Sequence, residues 1–242
     1  MTEPVRLAKR LAEMLSCSRR QAEQYIEGGW VSVAGEVIQE PQYRVLDHKI
    51  TLDPDANLLA SIPVTLLLHK PAGFDAQQGP QAAAHLLTPN NLWAGDGGGL
   101  RPLRRHFQAQ ACLTPLENAA SGLLIFTQEW RVQRKLTEDV ALIEQELMVE
   151  IDGAVAPDAL LRLNRNASLI SGVSVKVSLS SDKPGLTTLR FAIKGNSPGL
   201  IARLCEQVGL TIVALKRSRL GRLALGGLPS GEWRFLGPHE RV

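Results

Sequence analysis

Two short helices followed by a tight strand turn form the pattern that most constrains the fold of this chain. From Val5 to Leu15 apolar residues recur at helical spacing on one face, with basic residues on the other side. Ser18 then offers a helix N-cap, and Gln21 three residues later completes a capping box. The second helix is predicted to run to about Glu27, because Gly28-Gly29 follows it as a C-cap signal.

A small sheet is predicted to follow this helix pair. Residues Trp30–Val33 alternate in polarity as a strand does, Ala34-Gly35 marks a turn, and Glu36–Ile38 begins a partner strand. Another strand is expected at Ile50–Leu52. The first 53 residues therefore predict a compact domain of two helices packed on a small sheet.

Basic side chains cluster on this helix pair. Their arrangement suits contacts with the phosphates of a nucleic acid, which would give a salt-dependent affinity. The alternative is an ordinary solvated helix face, and nearby acidic residues almost cancel the charge, so only the clustering favours phosphate binding. The candidates are Arg6, Lys9, Arg10, Arg19 and Arg20.

Composition narrows the class of protein. The 242 residues allow one large domain or a small domain followed by a larger one. The formal net charge of +3 does not by itself imply a polyanionic partner. Three widely spaced cysteines, Cys17, Cys112 and Cys205, exclude a disulfide framework and give no zinc-site spacing, so we expect a reducing cytoplasm. No segment is apolar enough to span a membrane.

The remainder of the chain predicts a larger α+β domain. Residues 54–63 are interpreted as a linker, and 64–242 as a domain with a mixed, mostly antiparallel sheet, because strands and helices occur without strict βαβ repetition. Residues 75–99 are expected to form a long, partly mobile loop. Strands are predicted at Val64–His69, Ser121–Thr127, Leu147–Ile151, Val173–Leu179, Thr188–Ile193, Thr211–Leu215 and Leu220–Leu225, and helices at Glu129–Ala141, Pro157–Leu163 and Pro198–Gln207.

The helix pair and its sheet resemble the S4 RNA-binding family. The stretch RLAKRLAEMLSCSRRQAEQYIEGGWVSVAGEVI matches the signature SRRxAexxIxxGxVxVnG at nearly every position. The resemblance covers roughly residues 5–52. It implies an αα-β module that binds RNA.

Three later segments, in order, resemble pseudouridine synthases. The stretch LLLHKPAG is similar to a strand followed by KPxG, and LENAASGLLIFT is similar to the catalytic segment LDxxTSGLLLLT. The C-terminal stretch beginning IARLCEQVGL resembles the elements that close these enzymes. With an S4 module in front, the chain resembles the RsuA/RluB/RluF type, which modifies ribosomal RNA.

This resemblance implies a reaction that needs neither cofactor nor metal. Uracil is detached from its ribose, rotated, and rejoined through carbon after the nucleotide has been flipped into a pocket. A single Asp carboxylate acts on the sugar or base, a basic side chain pairs with it, and a Tyr stacks on the base.

The catalytic segment departs from the family pattern. Aligned on Ser121-Gly122, it has Glu117 at the position of the Asp, Ala120 in place of Thr, and Thr114-Pro115 in place of Gly-Arg. Glutamate keeps the carboxylate and adds one methylene, about 1.5 Å of reach. A misplacement of about 1 Å can cost roughly 100-fold when attack geometry is tight.

The two supporting positions also differ. The stacking Tyr corresponds to Leu147, and the two tyrosines of the chain, Tyr25 and Tyr43, both lie in the N-terminal module. The family segment QVRRM corresponds to Leu200–Leu204, which leaves Arg203 as the carboxylate partner.

Two interpretations follow from these departures. In one, Glu117 pairs with Arg203 or Arg217 and still isomerises uridine. In the other, which the altered residues favour, the fold persists as a non-enzymatic RNA-binding or ribosome-assembly factor. The resemblance in either case implies structured RNA, and ribosomal RNA in particular, as the partner, and we expect a cytoplasmic monomer.

Two further basic runs are candidate RNA contacts. Lys216, Arg217 and Arg219 alternate with apolar residues and would place cations on one side of a strand near the cleft, unless they only protect an edge strand. Arg104 and Arg105 lie in a second basic run and carry the same expectation.

Overall fold

The computed structural model describes residues 3–58, 63–97, 99–195 and 199–242. The chain divides into two compact units. Unit 1 contains the residues up to Pro63 together with Arg101–Ala109, and unit 2 contains Val64–Leu100 and Gln110–Val242. The sequence-based division at residues 53 and 64 does not include the return of Arg101–Ala109 to the first unit.

Unit 1 is a helix pair on two small sheets. Its elements are β1 (Val5–Arg6), α1 (Leu7–Leu15), α2 (Arg19–Glu27), β2 (Val31–Val33), β3 (Glu36–Val37), β4 (Arg44–Val45) and β5 (Ile50–Leu52), with a 3-10 turn at Arg104–Phe107. Strands β1 and β4 pair antiparallel, and β2 lies between β3 and β5 in an antiparallel sheet.

The predicted caps of the second helix are confirmed. The Ser18 hydroxyl accepts from the Gln21 backbone amide, and the Gln21 side chain accepts in return from the Ser18 amide, which satisfies two donors left open at the helix start. The helix ends at Glu27, as predicted. The first helix begins at Leu7 rather than Val5, because Val5 and Arg6 pair with β4.

The helices of unit 1 bury one apolar face. Leu7 and Leu11 from α1 meet Ile26 from α2, and all three are fully buried. Val31 and Val33 of β2 close the same core from the sheet. Burial of each such side chain contributes about 1.5–3 kcal/mol relative to leaving it in water.

Unit 2 is built on one nine-stranded sheet with helices packed on it. Its elements are β6 (Thr65–Lys70), β7 (Ala111–Cys112), β8 (Ser121–Thr127), α3 (Trp130–Glu138), β9 (Glu144–Asp152), α4 (Pro157–Ser168), β10 (Ser174–Lys183), β11 (Leu186–Lys194), α5 (Leu200–Gln207), β12 (Ile212–Leu220), β13 (Leu223–Ala224) and β14 (Trp233–Phe235).

The strand order of this sheet is β10-β11-β9-β12-β8-β6-β14, with β7 on β8 and β13 on β12. All these pairings are antiparallel except that between β12 and β8, where Lys216 lies opposite Ser121 and Arg217 opposite Gly122. The predicted mixed, mostly antiparallel sheet is therefore confirmed. The parallel pair brings the segment preceding β8 next to the centre of β12.

Among the described residues, apolar clusters pack on both ends of this sheet. One joins β9, β10 and β11 to α4 and α5, with Phe191 and Val149 fully buried. The other joins β6 and β8 to α3, with Leu67, Leu123 and Ile125 fully buried. The near-continuous apolar run of β8 follows from burial on both faces.

One sequence-based boundary is wrong. The strand predicted at Thr211–Leu215 continues through the basic run as β12 (Ile212–Leu220), and of the strand predicted at Leu220–Leu225 only Leu223–Ala224 forms a separate strand, β13. Within residues 75–99, expected to be partly mobile, the described part contains 3-10 turns at Ala83–Leu86 and Pro89–Asn91. The last helix begins at Leu200, and its predicted start at Pro198 lies outside the described residues.

Candidate active site

A cleft of about 230 Å³ opens beside the loop that leads into β8. Its walls are mostly aliphatic, and Glu117 and Arg217 are the charged residues that line it. Such an apolar pocket with a few polar groups is the usual form of a ligand site. The aliphatic wall is formed by Leu147, Ile193, Leu200, Ile201 and Leu215.

Glu117 is exposed and held by a backbone donor. Its Oε1 accepts a hydrogen bond of 2.6 Å from the amide of Gly199, the residue that precedes α5. Gly199 is the N-cap of α5, so its amide lies at a helix start, where backbone N–H groups have no partner within the helix.

Arg203 lies one turn into α5, on the exposed side of the helix. Its Nη1 is 3.9 Å from the position that a Cβ would occupy on Gly199. Glu117 and Arg203 therefore meet the same residue, although among the described residues no ion pair within 4.0 Å joins the carboxylate to an arginine.

Arg217 is buried and serves the fold. Its exposed fraction is 2%, its Nε donates to the Leu123 carbonyl at 2.8 Å, and its Nη2 donates to the Thr114 carbonyl at 2.6 Å. A longer bond of 3.3 Å reaches the Gln145 side chain. Burial lowers the pKa of Arg217 to about 10. These contacts contradict the expectation that Arg217 contacts an RNA phosphate.

The rest of the basic run on β12 does not protect an edge strand, which was the alternative to phosphate contact. Strand β12 lies inside the sheet, between β9 and β8. The Arg219 guanidinium contacts Glu144 at 2.5 Å and Glu146 at 2.9 Å, which pairs its charge within the protein. Lys216 is exposed and remains a candidate for phosphate contact.

Lys70 is a buried cation that the sequence analysis overlooked. Its amine, at the end of β6, donates to the carbonyls of Phe74 at 2.7 Å, Pro71 at 3.1 Å and Asn118 at 3.3 Å. Burial lowers the pKa of Lys70 to about 8, against the opposing effect of the Asp75 carboxylate. The sequence signal that could have predicted its burial is its position at the end of the buried, largely apolar strand β6.

The Lys70 amine thereby ties two loops together. It joins the turn after β6 to the loop that carries Glu117, and the Gly73 amide strengthens the link by donating to the Asn118 carbonyl at 2.6 Å. Lys70 and Gly73 thus hold the backbone next to Glu117 through the Asn118 carbonyl, and the Gly199 amide holds the Glu117 side chain.

The five basic candidates of unit 1 are exposed, as phosphate contact requires. Arg19 forms an exposed i,i+4 pair with Glu23 at 3.0 Å. Such exposed pairs contribute little, so a phosphate could replace the carboxylate at small cost. The five are Arg6, Lys9, Arg10, Arg19 and Arg20.

Arg104 and Arg105, the candidates from the second basic run, belong to unit 1 rather than to the larger domain. Arg104 is exposed and ion-paired with Glu40. Arg105 is half-buried; burial lowers its pKa, and the carboxylate of Glu27 opposes that shift. A carboxylate therefore lies close to each of these guanidinium groups, which weakens the case for phosphate contact.

Within the described residues, no group of three or more His, Cys, Asp or Glu side chains is arranged to hold a metal ion. No helix in the same part of the chain combines the length and hydropathy needed to cross a bilayer.

The comparison with protein families finds an S4 domain at residues 5–49. Similar proteins match nearly the whole chain. An RNA pseudouridine synthase of Aquifex aeolicus (strain VF5) is 26% identical, over 98% of this chain and 94% of its own length. Ribosomal large subunit pseudouridine synthase B of Bacillus subtilis (strain 168) is 27% identical, over 97% and 93%. Dual-specificity RNA pseudouridine synthase RluF of Escherichia coli (strain K12) is 23% identical, over 98% and 77%.

The solved structures agree on the fold. A crystal structure of a pseudouridylate synthase superimposes with a TM-score of 0.57 at 17% sequence identity, covering 96% of both chains. This likeness establishes the architecture of the chain and does not by itself establish a reaction. The chain thus carries an S4 domain and is similar, over 97–98% of its length, to pseudouridine synthases of the RsuA/RluB/RluF type.

Proposed function

We propose that this chain is an RNA pseudouridine synthase that isomerises a uridine of ribosomal RNA, with Glu117 as the acting carboxylate. The observation that carries the proposal is the position of Glu117 at an aliphatic cleft, on the loop before β8 and bonded to the Gly199 amide that precedes α5. The similar proteins named for RNA and ribosomal pseudouridine synthesis support the same reaction class.

The extra methylene of glutamate fits this geometry. The Gly199 amide holds one carboxylate oxygen, which limits the additional freedom of the longer side chain, while the second oxygen remains available to a bound nucleotide. A carboxylate fixed before the substrate arrives requires less reorganisation during the reaction.

The reaction balances without any further reagent. The bond between N1 of uracil and C1′ of ribose breaks, and a bond between C5 and C1′ forms. N1 gains a proton and C5 loses one, so no atom is gained or lost overall. The Glu117 carboxylate would act on the sugar, either by attacking C1′ or by removing a proton from the ribose.

The aliphatic wall would hold the flipped base. Leu147 occupies the position at which the resemblance implies a Tyr, so the base would be buried against side chains such as Leu147 and Leu215 rather than stacked on a ring. Apolar contact excludes water from the carboxylate but supplies less orientation than stacking. We therefore expect a slow enzyme.

RNA would be held by the exposed cations of both units. We propose Arg6, Lys9, Arg10, Arg19 and Arg20 of unit 1, together with Lys216 of unit 2, as phosphate contacts. We further propose that the protein acts as a cytoplasmic monomer, which size-exclusion chromatography with light scattering and cell fractionation would test.

The deciding experiment is a map of pseudouridine in total RNA from cells with and without the gene. At least one ribosomal site should disappear on deletion, return with the wild-type gene, and stay absent with Glu117→Ala. If all sites persist in the deletion strain, the proposal is wrong.

A second candidate function is a non-enzymatic RNA-binding or ribosome-assembly factor. It is favoured by the use of Arg217 to hold backbone carbonyls, because a buried structural arginine cannot serve as the mobile partner of a catalytic carboxylate. Deletion would then alter ribosome assembly profiles, and the Glu117→Ala gene would restore them fully. Formation of pseudouridine by the purified protein would exclude this candidate.

A further inference from the structure

A second cleft lies wholly within unit 1 and has no part in the candidate active site. Its volume is about 360 Å³, far more than the ~10–15 Å³ that one ordered water needs. It lies where the end of α2 meets the returning segment Arg101–Ala109. The residues that argue for its chemistry are Glu27, Gln39, Gln42, Arg104, Arg105 and Gln108.

The returning segment is fixed in place, so the cleft is formed in advance of any ligand. Leu103 is 5% exposed, and its Cδ2 is 2.9 Å from the position that a Cβ would take on Gly29. The Arg104 amide donates to Gln39 Oε1 at 2.7 Å, and Arg101 Nη1 donates to the Gly29 carbonyl at 3.2 Å. A preformed site avoids part of the ordering cost of binding.

The charges of the cleft are balanced. Arg104 forms an ion pair with Glu40, and the carboxylate of Glu27 attracts the Arg105 guanidinium electrostatically. Two carboxylates thus accompany two guanidinium groups, which does not favour an anion such as phosphate. The remaining polar side chains of the lining are amides; Gln42 is exposed and offers both a donor and an acceptor, while Gln39 Oε1 already accepts from the Arg104 amide and its NH₂ group adds donors.

We propose that this cleft binds one unpaired RNA base by its hydrogen-bonding edge. Sequence-specific recognition of RNA is directed mostly at unpaired bases, whose edges glutamine amides can read in pairs of hydrogen bonds. The proposal rests on the RNA binding proposed above and adds a site of base selection to it.

The position of Arg20 supports this arrangement. Arg20 and Glu27 are seven residues apart on α2, so they lie on the same face, about 10 Å apart along the helix axis. Exposed Arg20 can therefore contact a phosphate while a neighbouring base enters the cleft at the other end of the helix.

The test uses the full-length protein and a pool of RNA hairpins with randomised single-stranded loops, from which the bound fraction is sequenced. Wild-type protein should enrich one base at one loop position by about tenfold or more. Gln42→Ala and Gln39→Ala should each lose most of this preference. Total affinity should change less, because phosphate contacts supply most of it.

Gln24→Ala is the matched control, since it removes an amide from α2 outside the cleft and should keep the preference of the wild type. Thermal unfolding of all three variants checks that unit 1 remains folded. RNA binding by the wild type without any base preference, or a preference that survives both cleft variants, overturns the base site alone. A complete lack of RNA binding overturns the proposed function and the base site together.

Discussion

The carboxylate of Glu117, on the loop before β8, accepts a 2.6 Å hydrogen bond from the backbone amide of Gly199, the residue before α5. Gly199 adopts a φ of +69°, a left-handed conformation that side chains disfavour. The loop before β8 and the helix that follows β11 are thus joined through one carboxylate. A change in the length of that side chain should therefore affect the site directly.

Shortening the carboxylate should reduce activity although it restores the residue type that the resemblance implies. In Glu117→Asp the oxygen would retreat by about one bond from the Gly199 amide, which we expect to slow pseudouridine formation roughly 100-fold. Glu117→Ala should abolish it. Single-turnover assays on ribosomal RNA measure both, with Glu138→Asp on the surface of α3 as the control. Equal rates for Glu117→Asp and wild type would contradict this account.

A side chain at Gly122 should break the parallel strand pair. A Cβ there would lie 2.3 Å from the Arg217 carbonyl oxygen, and the φ of +116° is already unfavourable for other residues. We expect Gly122→Ala to lower the free energy of unfolding by about 3 kcal/mol or more.

Gly185→Ala separates the two causes, because that glycine has a φ of +78° and no atom within 4 Å of the added Cβ. It should lose only about 1–2 kcal/mol. Urea unfolding curves of both variants measure the difference. Similar losses would mean that the close contact with Arg217 is relaxed at little cost.

Removal of the Lys70 amine should destabilise unit 2. Lys70→Met keeps much of the volume but leaves the three carbonyls of Pro71, Phe74 and Asn118 without this donor. We expect a loss of about 2–4 kcal/mol in the free energy of unfolding. The exposed Lys176→Met should stay within about 0.5 kcal/mol of wild type. Equal stability of the two variants would show that the carbonyls find other donors.

His106 should make unit 1 less stable in mild acid. Burial, with a smaller contribution from Arg105, lowers the pKa of His106 to about 4 from its usual 6.5. Between these two values the unfolded chain binds a proton that the folded chain does not. The folded state should therefore lose up to about 1.4 kcal/mol per pH unit as the pH falls from 6.5 to 4.

The contribution of His106 is obtained from the difference between wild type and His106→Gln, since other groups also titrate in acid. The free energy of unfolding is measured in urea at a series of pH values. The wild type should show the steeper fall below pH 6.5, and the exposed His48→Asn should retain it. Parallel curves for wild type and His106→Gln would exclude this role.

Charge reversal on α2 should weaken RNA binding in a salt-dependent way. Arg19→Glu and Arg20→Glu each remove one phosphate contact, so the slope of log affinity against log salt should become shallower by about one per site. Filter binding of ribosomal RNA at several salt concentrations measures this slope. Arg162→Glu on α4 serves as a control with an exposed arginine. Affinity that ignores both salt and these changes would contradict phosphate binding by α2.

Local signals explain which parts of the fold were predictable. The Ser18 and Gln21 capping box is fixed by neighbours three residues apart, and the apolar run of β8 reports its own burial. Each of these features depends on a short stretch of chain. The helix pair and the main strands could therefore be identified from sequence alone.

The errors arose where distant contacts decide the outcome. Arg217 has the sequence context of a surface cation, but the parallel pairing of β12 with β8 buries it beneath the Leu123 and Thr114 carbonyls. Arg101–Ala109 lies between the two parts of unit 2 in sequence, yet it belongs to unit 1 and bonds there to Gly29 and Gln39. No local sequence pattern predicts the burial of Arg217 or the return of Arg101–Ala109 to unit 1.

The discontinuity of unit 1 has a practical meaning for anyone who transplants its RNA-binding surface. A fragment that stops at Pro63 leaves behind Leu103, which covers Gly29, and Arg104, which bonds to Gln39. A faithful graft would have to carry two pieces of chain and rejoin them with an artificial loop. In this protein the smallest transferable RNA-binding part is a composite, and its inheritance by recombination would require crossovers at the ends of two segments instead of one.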